Sequence, residues 1–354
     1  MQKIDSTFYD SIDLLKKMIA IPSHSKEEKA VADMLEKYMK SCCLNTNRKG
    51  NNIWAISPNF DLNKPTILLN SHIDTIKPVS GWTINPYDAI ESDGKITGLG
   101  SNDAGASVVS LLHAFIVLTQ KEQSNNLIFL ASGEEEISGK NGVESVLPEL
   151  PPIAFGLVGE PTNMNPAITE KGLMVLDCTV KGKSGHAARE EGDNAIYKAI
   201  PCIEWFKRYE FPKQSNLLEK VKMTVTMIQS GTQHNVIPDL CTFTVDVRSN
   251  ECYSNAEILD IISQNCDCEI KARSTRLSSS SISKNHPVVQ RAIMLGKEPF
   301  GSPTLSDQAL MPFPTLKVGP GDSSRSHAID EFVKTEEIRE AIEIYIRLLD
   351  NLEI

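Results

Sequence analysis

Apolar residues follow two different periodicities along the chain, and the first of these predicts a domain of helices and buried strands. Helical spacing of apolar residues predicts helices near residues 8–20, 27–40, 104–118 and 335–349. Compact apolar runs predict strands at residues 52–56, 66–70, 127–131, 155–158 and 315–318. Strands without polar alternation, separated by helices, are typical of a mainly parallel sheet that helices cover on both faces. We therefore expect an α/β domain built from residues 1–172 and 283–354.

The middle of the chain alternates apolar and polar residues instead. This pattern predicts antiparallel strands with one solvated face at residues 173–180, 222–228 and 241–247. Two predicted helices, near 193–208 and 254–264, and a fourth strand within 269–277 complete the order β-α-β-β-α-β of a ferredoxin-like unit. The serine-rich run at 278–283 then leads back to the first domain. We expect residues 173–282 to form an inserted α+β domain.

Composition and charge narrow the class of protein. The 354 residues carry a formal net charge of −10, which argues against a nucleic-acid binder that relies on positive charge. The longest apolar stretch is far shorter than a bilayer span, and the N-terminal residues lack an apolar signal core, so a cytoplasmic protein is expected. The eight cysteines are irregularly spaced, and Cys266-x-Cys268 lacks a second cysteine or histidine pair. We therefore expect reduced thiols without a metal.

Metal-type side chains follow several of the predicted strands. A single histidine or a run of glutamates is more often a solvated surface feature. In open α/β sheets, however, ligands bind beyond the carboxyl ends of the strands, where these side chains would meet. Two histidines and three carboxylates suit two divalent cations that share one carboxylate, because uncompensated carboxylates would repel one another or take up protons. The residues after the predicted strands are His72, Asp74, Glu134–Glu136, Glu160 and His327, and Asp103 begins a predicted helix.

Sequence motifs run in a recognisable order across nearly the whole chain. In order, it carries the segments SHIDT, GSNDAG, SGEEE, VGEPT, SGHAAREEGDNAI, HNVIPD and VDVR, followed by His327. This order resembles the two-zinc aminoacylase/carboxypeptidase superfamily, which includes acetylornithine deacetylase, succinyl-diaminopimelate desuccinylase and glutamate carboxypeptidase. Within that superfamily the chain looks most similar to acetylornithine deacetylase and to its N-acylcitrulline and N-succinylornithine relatives.

The resemblance implies five metal ligands in this chain. His72 and Glu160 would hold one zinc ion, Glu135 and His327 would hold the other, and Asp103 would bridge them. Cobalt or manganese could substitute for zinc at such mixed nitrogen and oxygen sites. The resemblance also implies a cis peptide bond directly after Asp103.

A second set of implied roles concerns the chemistry beside the metals. Glu134 would be the general base that activates water, and Asp74 would orient the metal-binding histidine. The alignment that gives these roles matches Ser132-Gly133-Glu134-Glu135 to a family Ser-Asp-Glu-Glu motif. A slip of one residue would instead make Glu135 the base and Glu136 the ligand, and Gly133 in place of the usual aspartate keeps that alternative open.

The inserted domain would supply substrate contacts and serve as a lid and a dimerisation surface. The resemblance implies that His186 reaches across a homodimer interface to polarise the scissile carbonyl, and that Asn235 and Arg248 contact substrate. A guanidinium binds a carboxylate in a bidentate fork, so Arg248 is the first candidate to hold the substrate carboxylate. An ion pair of Arg248 with a neighbouring aspartate is its structural alternative, and Lys171 and Arg325 are rival cations.

These implied roles predict a dinuclear zinc amidohydrolase that acts on a small molecule. The expected reaction is deacetylation or desuccinylation of N-acyl-ornithine or N-acyl-citrulline, as in arginine biosynthesis. A di- or tripeptidase or a general aminoacylase of the same superfamily is the alternative within the class. A metal-stabilised binding protein without catalysis is the alternative from another class.

Overall fold

The computed structural model describes residues 2–189 and 191–354, and side chains from residue 6 onward within those ranges. The helices are α1 (Gln2–Ile19), α2 (Lys29–Ser41), α3 (Ala106–Leu118), α4 (Val143–Val146), α5 (Ala195–Arg208), α6 (Asn255–Asn265), α7 (Pro287–Met294) and α8 (Thr335–Leu349). The strands are β1 (Thr46–Lys49), β2 (Asn52–Ile56), β3 (Thr66–His72), β4 (Ile90–Ser92), β5 (Lys95–Thr97), β6 (Asn126–Ser132), β7 (Phe155–Val158), β8 (Ala167–Glu170), β9 (Gly172–Lys181), β10 (Gly185–His186), β11 (Lys222–Ser230), β12 (Val236–Ile237), β13 (Leu240–Ser249), β14 (Glu269–Ala272), β15 (Ser280–Ser281), β16 (Phe300–Ser302), β17 (Thr315–Lys317) and β18 (Phe332–Lys334).

The chain forms two compact units. The larger unit comprises the residues up to Ile168 together with Ser281–Phe300 and Ser306–Ile354. The smaller unit comprises Thr169–Ser280 and Gly301–Leu305. The short segment Gly301–Leu305 therefore joins the smaller unit although it lies outside the range 173–282 expected from the sequence.

A mixed sheet with a parallel centre organises the larger unit. Its strand order is β1-β2-β6-β3-β7-β17-β8-β15, with β16 paired to β8. The central strands β6, β3, β7 and β17 run parallel, whereas β1, β2 and β8 pair antiparallel to their neighbours. Every residue of β3 and β6 is buried, as expected for strands covered on both faces. The predicted α/β architecture is confirmed.

Alternate residues of the central strands enter two separate apolar layers. Ile67 and Leu69 of β3 pack into the core formed with α1, α2, α3, α7 and α8, and Leu68 packs into the layer around Val143 of α4 and Met311. One helical stretch of the described chain, Ser101–Leu118, has the length and apolar composition to cross a membrane. Because 83% of it is buried in this core, it gives only weak evidence for a membrane span, since core helices pass the same test.

The smaller unit contains an antiparallel sheet of order β11-β13-β9-β14. Along the chain its elements run β9-α5-β11-β13-α6-β14, which is the predicted ferredoxin-like order. Burial alternates along β9 and β13, and the inward-facing side chains pack against α5 and α6. The short strands β10 and β12 form a separate two-stranded ladder in this unit. The predicted α+β fold class is confirmed, with a last strand shorter than the range expected for it.

Candidate metal centre

The parallel register of the central sheet brings the predicted ligand segments to one edge. His72 at the end of β3 lies opposite Ser132 at the end of β6, and Asn70 lies opposite Val158 at the end of β7. Lys317, which ends β17, also lies opposite Val158. The glutamate run after β6, Glu160 after β7 and His327 after β17 therefore leave the sheet at the same edge. The polar residues that the sequence analysis places after these strands lie close together because the parallel strands end at the same edge.

Two imidazoles anchor a cluster of carboxylates at this edge. Nε2 of His72 lies 3.2 Å from Oδ1 of Asp103, 3.7 Å from Oε1 of Glu160 and 4.0 Å from Oε2 of Glu135. Nε2 of His327 lies 3.0 Å from Oε2 of Glu136 and 3.6 Å from Oδ2 of Asp103. Two sets of three residues, His72–Glu135–Glu160 and His72–Asp103–Glu136, each have donor atoms within 4.8 Å of one another. This spacing would allow the donor atoms of each set to surround a cation.

Asp103 occupies the position between the two histidines. Its Oδ1 faces His72 and its Oδ2 faces His327, so each oxygen is directed towards a different imidazole. The peptide bond from Asp103 to Ala104 is cis, which confirms that prediction. A carboxylate shared in this way can bridge two cations.

A buried glutamate that the sequence analysis did not single out fixes the backbone at Asp103. Glu331 is only 2% exposed, and its carboxylate accepts hydrogen bonds from the backbone N–H groups of Gly100, Asn102 and Asp103 at 3.1, 2.8 and 2.9 Å. Its position directly before β18, in a polar loop, carries no motif or periodicity that would have identified it. Glu331 thus orients a candidate ligand through the backbone.

The three successive glutamates point in different directions. Glu134 has a left-handed backbone with φ of 57°, and its carboxylate accepts hydrogen bonds from the side chain and the backbone N–H of Asn141 at 2.9 and 3.3 Å. Gly139 allows this packing, because a Cβ there would lie 2.0 Å from Oε2 of Glu134. Glu135 and Glu136 instead face the histidines. The structure therefore places Glu134, which the sequence analysis expects to be the base, beside Asn141. It places Glu135 and Glu136 in the cluster.

Asp74 orients both a histidine and the glutamate backbone. Nδ1 of His72 lies 2.9 Å from the backbone carbonyl oxygen of Asp74 and 3.5 Å from its Oδ1. A proton on Nδ1 is donated to that carbonyl, which leaves Nε2 directed into the cluster. The Asp74 carboxylate accepts hydrogen bonds from the backbone N–H groups of Glu135 and Glu136 at 3.0 and 3.1 Å. The backbone carbonyl of Asp74, rather than its carboxylate, therefore makes the shorter contact with Nδ1 of His72.

The buried carboxylates shift the protonation equilibria of the metal-free site. Burial, together with the charges of nearby carboxylates, raises the pKa of Glu135 well above its usual range and that of Glu160 to about 8. Although burial opposes the charged imidazole, hydrogen bonds to Asp103 and Asp74 raise the pKa of His72 well above normal. The hydrogen bond to Glu136 raises the pKa of His327 to about 9.

These shifts show a site with excess negative charge that retains protons when no cation compensates it. The donor set of imidazole nitrogens and carboxylate oxygens is one that zinc, cobalt and manganese accept. The residues present therefore fit a pair of divalent cations, on the chemistry of the donor atoms and on the sharing of Asp103 between the two histidines.

The candidate substrate residues lie in the smaller unit. His186 on β10 pairs with Val236 on β12, and the carbonyl oxygen of Asn235 accepts a hydrogen bond from the backbone N–H of Ala187 at 3.0 Å. His186 and Asn235 are thus neighbours across this two-stranded ladder. The guanidinium of Arg248 on β13 donates two hydrogen bonds to Asp246, at 2.9 and 3.1 Å, which is the ion pair considered as its structural alternative.

Comparisons with known proteins agree with the resemblance seen in the motifs. The chain is 26% identical over 355 residues to a putative succinyl-diaminopimelate desuccinylase DapE of Mycobacterium tuberculosis, which covers 96% of this chain and 98% of the relative. It is 26% identical over 363 residues to a succinyl-diaminopimelate desuccinylase of Corynebacterium glutamicum, covering 97% and 96%.

Solved structures share the fold at lower sequence identity. An aminopeptidase PepT from Bacillus cereus superposes with a TM-score of 0.76 at 17% identity, over 97% of this chain and 98% of that one. A dinuclear metal binding peptidase of the M20 family from Bacillus subtilis gives a TM-score of 0.73 at 16% identity, over 98% of each chain. Residues 68–351 match the family described as peptidase family M20/M25/M40. The predicted family resemblance is confirmed: this chain belongs to peptidase family M20/M25/M40, a family of metal-dependent hydrolases.

Proposed function

We propose that the protein uses two zinc ions to hydrolyse the amide bond of an N-acylated amino acid, removing an acetyl or succinyl group from a substrate of the ornithine or citrulline type. The observation that carries this proposal is the placement of Asp103 between His72 and His327, with one carboxylate oxygen towards each imidazole. The desuccinylase names of relatives that match nearly the whole chain support an N-acyl amino acid as the substrate class.

The candidate ligands divide naturally between two cations. His72 and Glu160 would hold one zinc ion, Glu136 and His327 would hold the other, and Asp103 would contact both. Bound zinc supplies a Lewis acid that lowers the pKa of water and polarises a carbonyl group. This assignment adopts the register in which the second metal ligand is the third glutamate of the run.

Glu135 is then the residue that moves protons. Its carboxylate faces the cluster, 4.0 Å from Nε2 of His72, and its backbone N–H is held by Asp74 at 3.0 Å. From this position the carboxylate can accept a proton from the attacking water and donate it to the departing amine nitrogen. Each transfer uses the same oxygen atoms, so one glutamate serves as base and then as acid.

The smaller unit supplies the remaining proposed contacts. We infer that His186 reaches across the interface of a homodimer to hydrogen-bond the scissile carbonyl oxygen as negative charge develops on it, and that Asn235 contacts the substrate. Arg248 would hold the substrate carboxylate in a bidentate fork, which requires it to exchange or share its hydrogen bonds with Asp246. The rival cation Arg325 is itself held by two hydrogen bonds to Glu337, at 2.8 and 3.0 Å.

A hydrolysis panel tests the substrate class. We expect N-acetyl- or N-succinyl-ornithine or citrulline to be cleaved with a kcat/KM at least about tenfold above that of unmodified di- and tripeptides, which corresponds to about 1.4 kcal/mol of transition-state discrimination. N-succinyl-diaminopimelate belongs in the same panel because relatives carry that name. Each rate is measured by amine release, with the metal removed by chelation and then restored.

Two outcomes contradict the proposal in different ways. Faster cleavage of peptides with a free amine assigns a peptidase instead. A protein that binds two zinc ions per chain and cleaves none of the N-acyl amino acids or peptides is a binding protein without catalysis.

The smaller unit also presents an exposed apolar surface. On α5, Tyr197 is 72% exposed and Ile200 is 47% exposed, and on the edge strand β11, Met227 and Ile228 are each more than half exposed. Exposed apolar side chains beside an unpaired strand edge favour association with another chain. We propose that the smaller unit forms a homodimer through this surface. Light scattering should give the mass of two chains, and a mass near 39.1 kDa at all concentrations would contradict it.

A further inference from the structure

Four cysteines from distant parts of the sequence meet inside the smaller unit. Cys178 lies on β9, Cys202 lies on α5, Cys266 directly follows α6, and Cys268 directly precedes β14. The sulfur atoms of Cys202, Cys266 and Cys268 lie within 4.8 Å of one another, and those of Cys266 and Cys268 are 3.7 Å apart. The Cys178 thiol lies close to that of Cys268. We call these four residues the thiol cluster.

We propose that the thiol cluster binds one zinc ion as a structural site, separate from the metals of the larger unit. Zinc holds four thiolates in a tetrahedron with bonds of about 2.3 Å, which places neighbouring sulfur atoms about 3.8 Å apart. The 3.7 Å separation of Cys266 and Cys268 already meets this requirement. Cys202, Cys266 and Cys268 are the first three ligands, and Cys178, which lies close to Cys268 on the neighbouring strand β9, is the fourth.

The fold explains how this set forms without a recognisable zinc motif. In the antiparallel pair β9–β14, Cys178 lies opposite Ile270, so Cys268, two residues from Ile270, projects to the same face as Cys178. That face packs against α5 and α6, which contribute Cys202 and Cys266. Of the four cysteines, only Cys266 and Cys268 are close in sequence. A strand and a helix far away in the chain supply Cys178 and Cys202.

The thiols are directed at one another rather than only at apolar neighbours. Cys266 and Cys268 share a hydrogen bond between their sulfur atoms, and the sulfur of Cys202 lies within 4.8 Å of both. The Cys202 thiol also donates to the backbone carbonyl oxygens of Lys198 and Asp267, at 3.9 and 3.5 Å, and all eight cysteines of the chain are free. Isolated buried cysteines behave as small apolar residues, but three sulfur atoms within 4.8 Å of one another, with a fourth thiol nearby, form a preassembled set of soft ligands. Each thiol would release its proton to solvent on binding zinc. The ion would then tie both helices of the smaller unit to its sheet.

Cobalt substitution distinguishes this site from the centre in the larger unit. Reduced full-length protein, stripped of metal and loaded with Co²⁺, should show sulfur-to-cobalt charge-transfer absorption, which imidazole and carboxylate ligands do not produce. The variant Cys268→Ser should lose this absorption and bind one cobalt ion fewer per chain. Cys241→Ser is the matched control, because Cys241 is a buried cysteine of the same sheet outside the cluster and its replacement should preserve the absorption.

A measurement on the unaltered protein keeps the test independent of whether variants fold. X-ray absorption of zinc-loaded protein should contain a zinc–sulfur shell at about 2.3 Å beside the nitrogen and oxygen shell at about 2.0–2.1 Å. Absence of both the sulfur shell and the cobalt charge-transfer band from freshly reduced protein overturns the proposal. Persistence of the band in folded Cys268→Ser also overturns it. So does a purified protein whose cluster contains a disulfide and binds no metal at the cluster even after that disulfide has been reduced.

Discussion

Replacing Glu135 with glutamine should lower kcat by about 10²–10⁴-fold, the usual contribution of a general acid–base residue. The amide has nearly the same shape and accepts hydrogen bonds but cannot take up the proton of the attacking water. The backbone N–H of residue 135 would still be held by Asp74, so the local geometry should be retained. Zinc content measured by elemental analysis should stay at the wild-type value while the hydrolysis rate falls.

The matched control for this prediction is Glu134→Gln. Glu134 precedes Glu135 directly, but its carboxylate is bound to Asn141 through both oxygens, and the single carbonyl oxygen of a glutamine can still accept one of those two hydrogen bonds. We expect its kcat to fall by less than about tenfold, well below the loss of a general base. The reverse ranking, with Glu134→Gln inactive and Glu135→Gln active or depleted of metal, would support the alignment in which Glu134 is the base.

Removal of the metals should abolish hydrolysis and make the stability of the protein fall as the pH rises from about 5 to about 8. Folding raises the pKa of Glu160 and Glu331 to about 8 and that of His327 to about 9. It also raises the pKa values of Glu135 and His72. The folded metal-free protein therefore binds more protons than the unfolded chain in this interval. Its stability is full below the unfolded pKa values and is lost as the pH rises through the folded ones.

Calorimetric Tm values measured across this pH interval, with and without zinc, test the prediction. Zinc should reverse the trend, because the cations replace the retained protons and bind more tightly as those protons leave. The variant Glu160→Gln removes one of the groups with a raised pKa and should flatten the pH dependence of the metal-free protein. A metal-free Tm that rises between these pH values would contradict the proposed charge balance.

The sequence predicts those parts of the centre that depend on regular structure. His72 and Glu160 follow buried parallel strands, so their meeting at one sheet edge follows from the strand pattern alone. Both folds follow from the change of apolar periodicity between the outer and middle parts of the chain. The cis bond after Asp103 came from the motif resemblance, because no periodicity encodes it.

Features that depend on individual loop conformations could not be predicted in this way. The direction of Glu134 is set by a positive φ and by the space that Gly139 leaves, neither of which a run of three glutamates reveals. The role of Glu331 depends on three backbone N–H groups more than 200 residues earlier in the chain. The thiol cluster likewise depends on the pairing of β9 with β14, which brings Cys178 beside Cys268.

The order of these contacts along the chain affects how the protein can mature during synthesis. Asp103 is held on one side by Glu331 and faced on the other by His327, both of which the ribosome adds long after the rest of the donor set. A nascent polypeptide that has not yet emerged past residue 327 lacks one imidazole and the anchor of the shared carboxylate. The complete donor set proposed for two cations therefore assembles only after that late segment has left the exit tunnel.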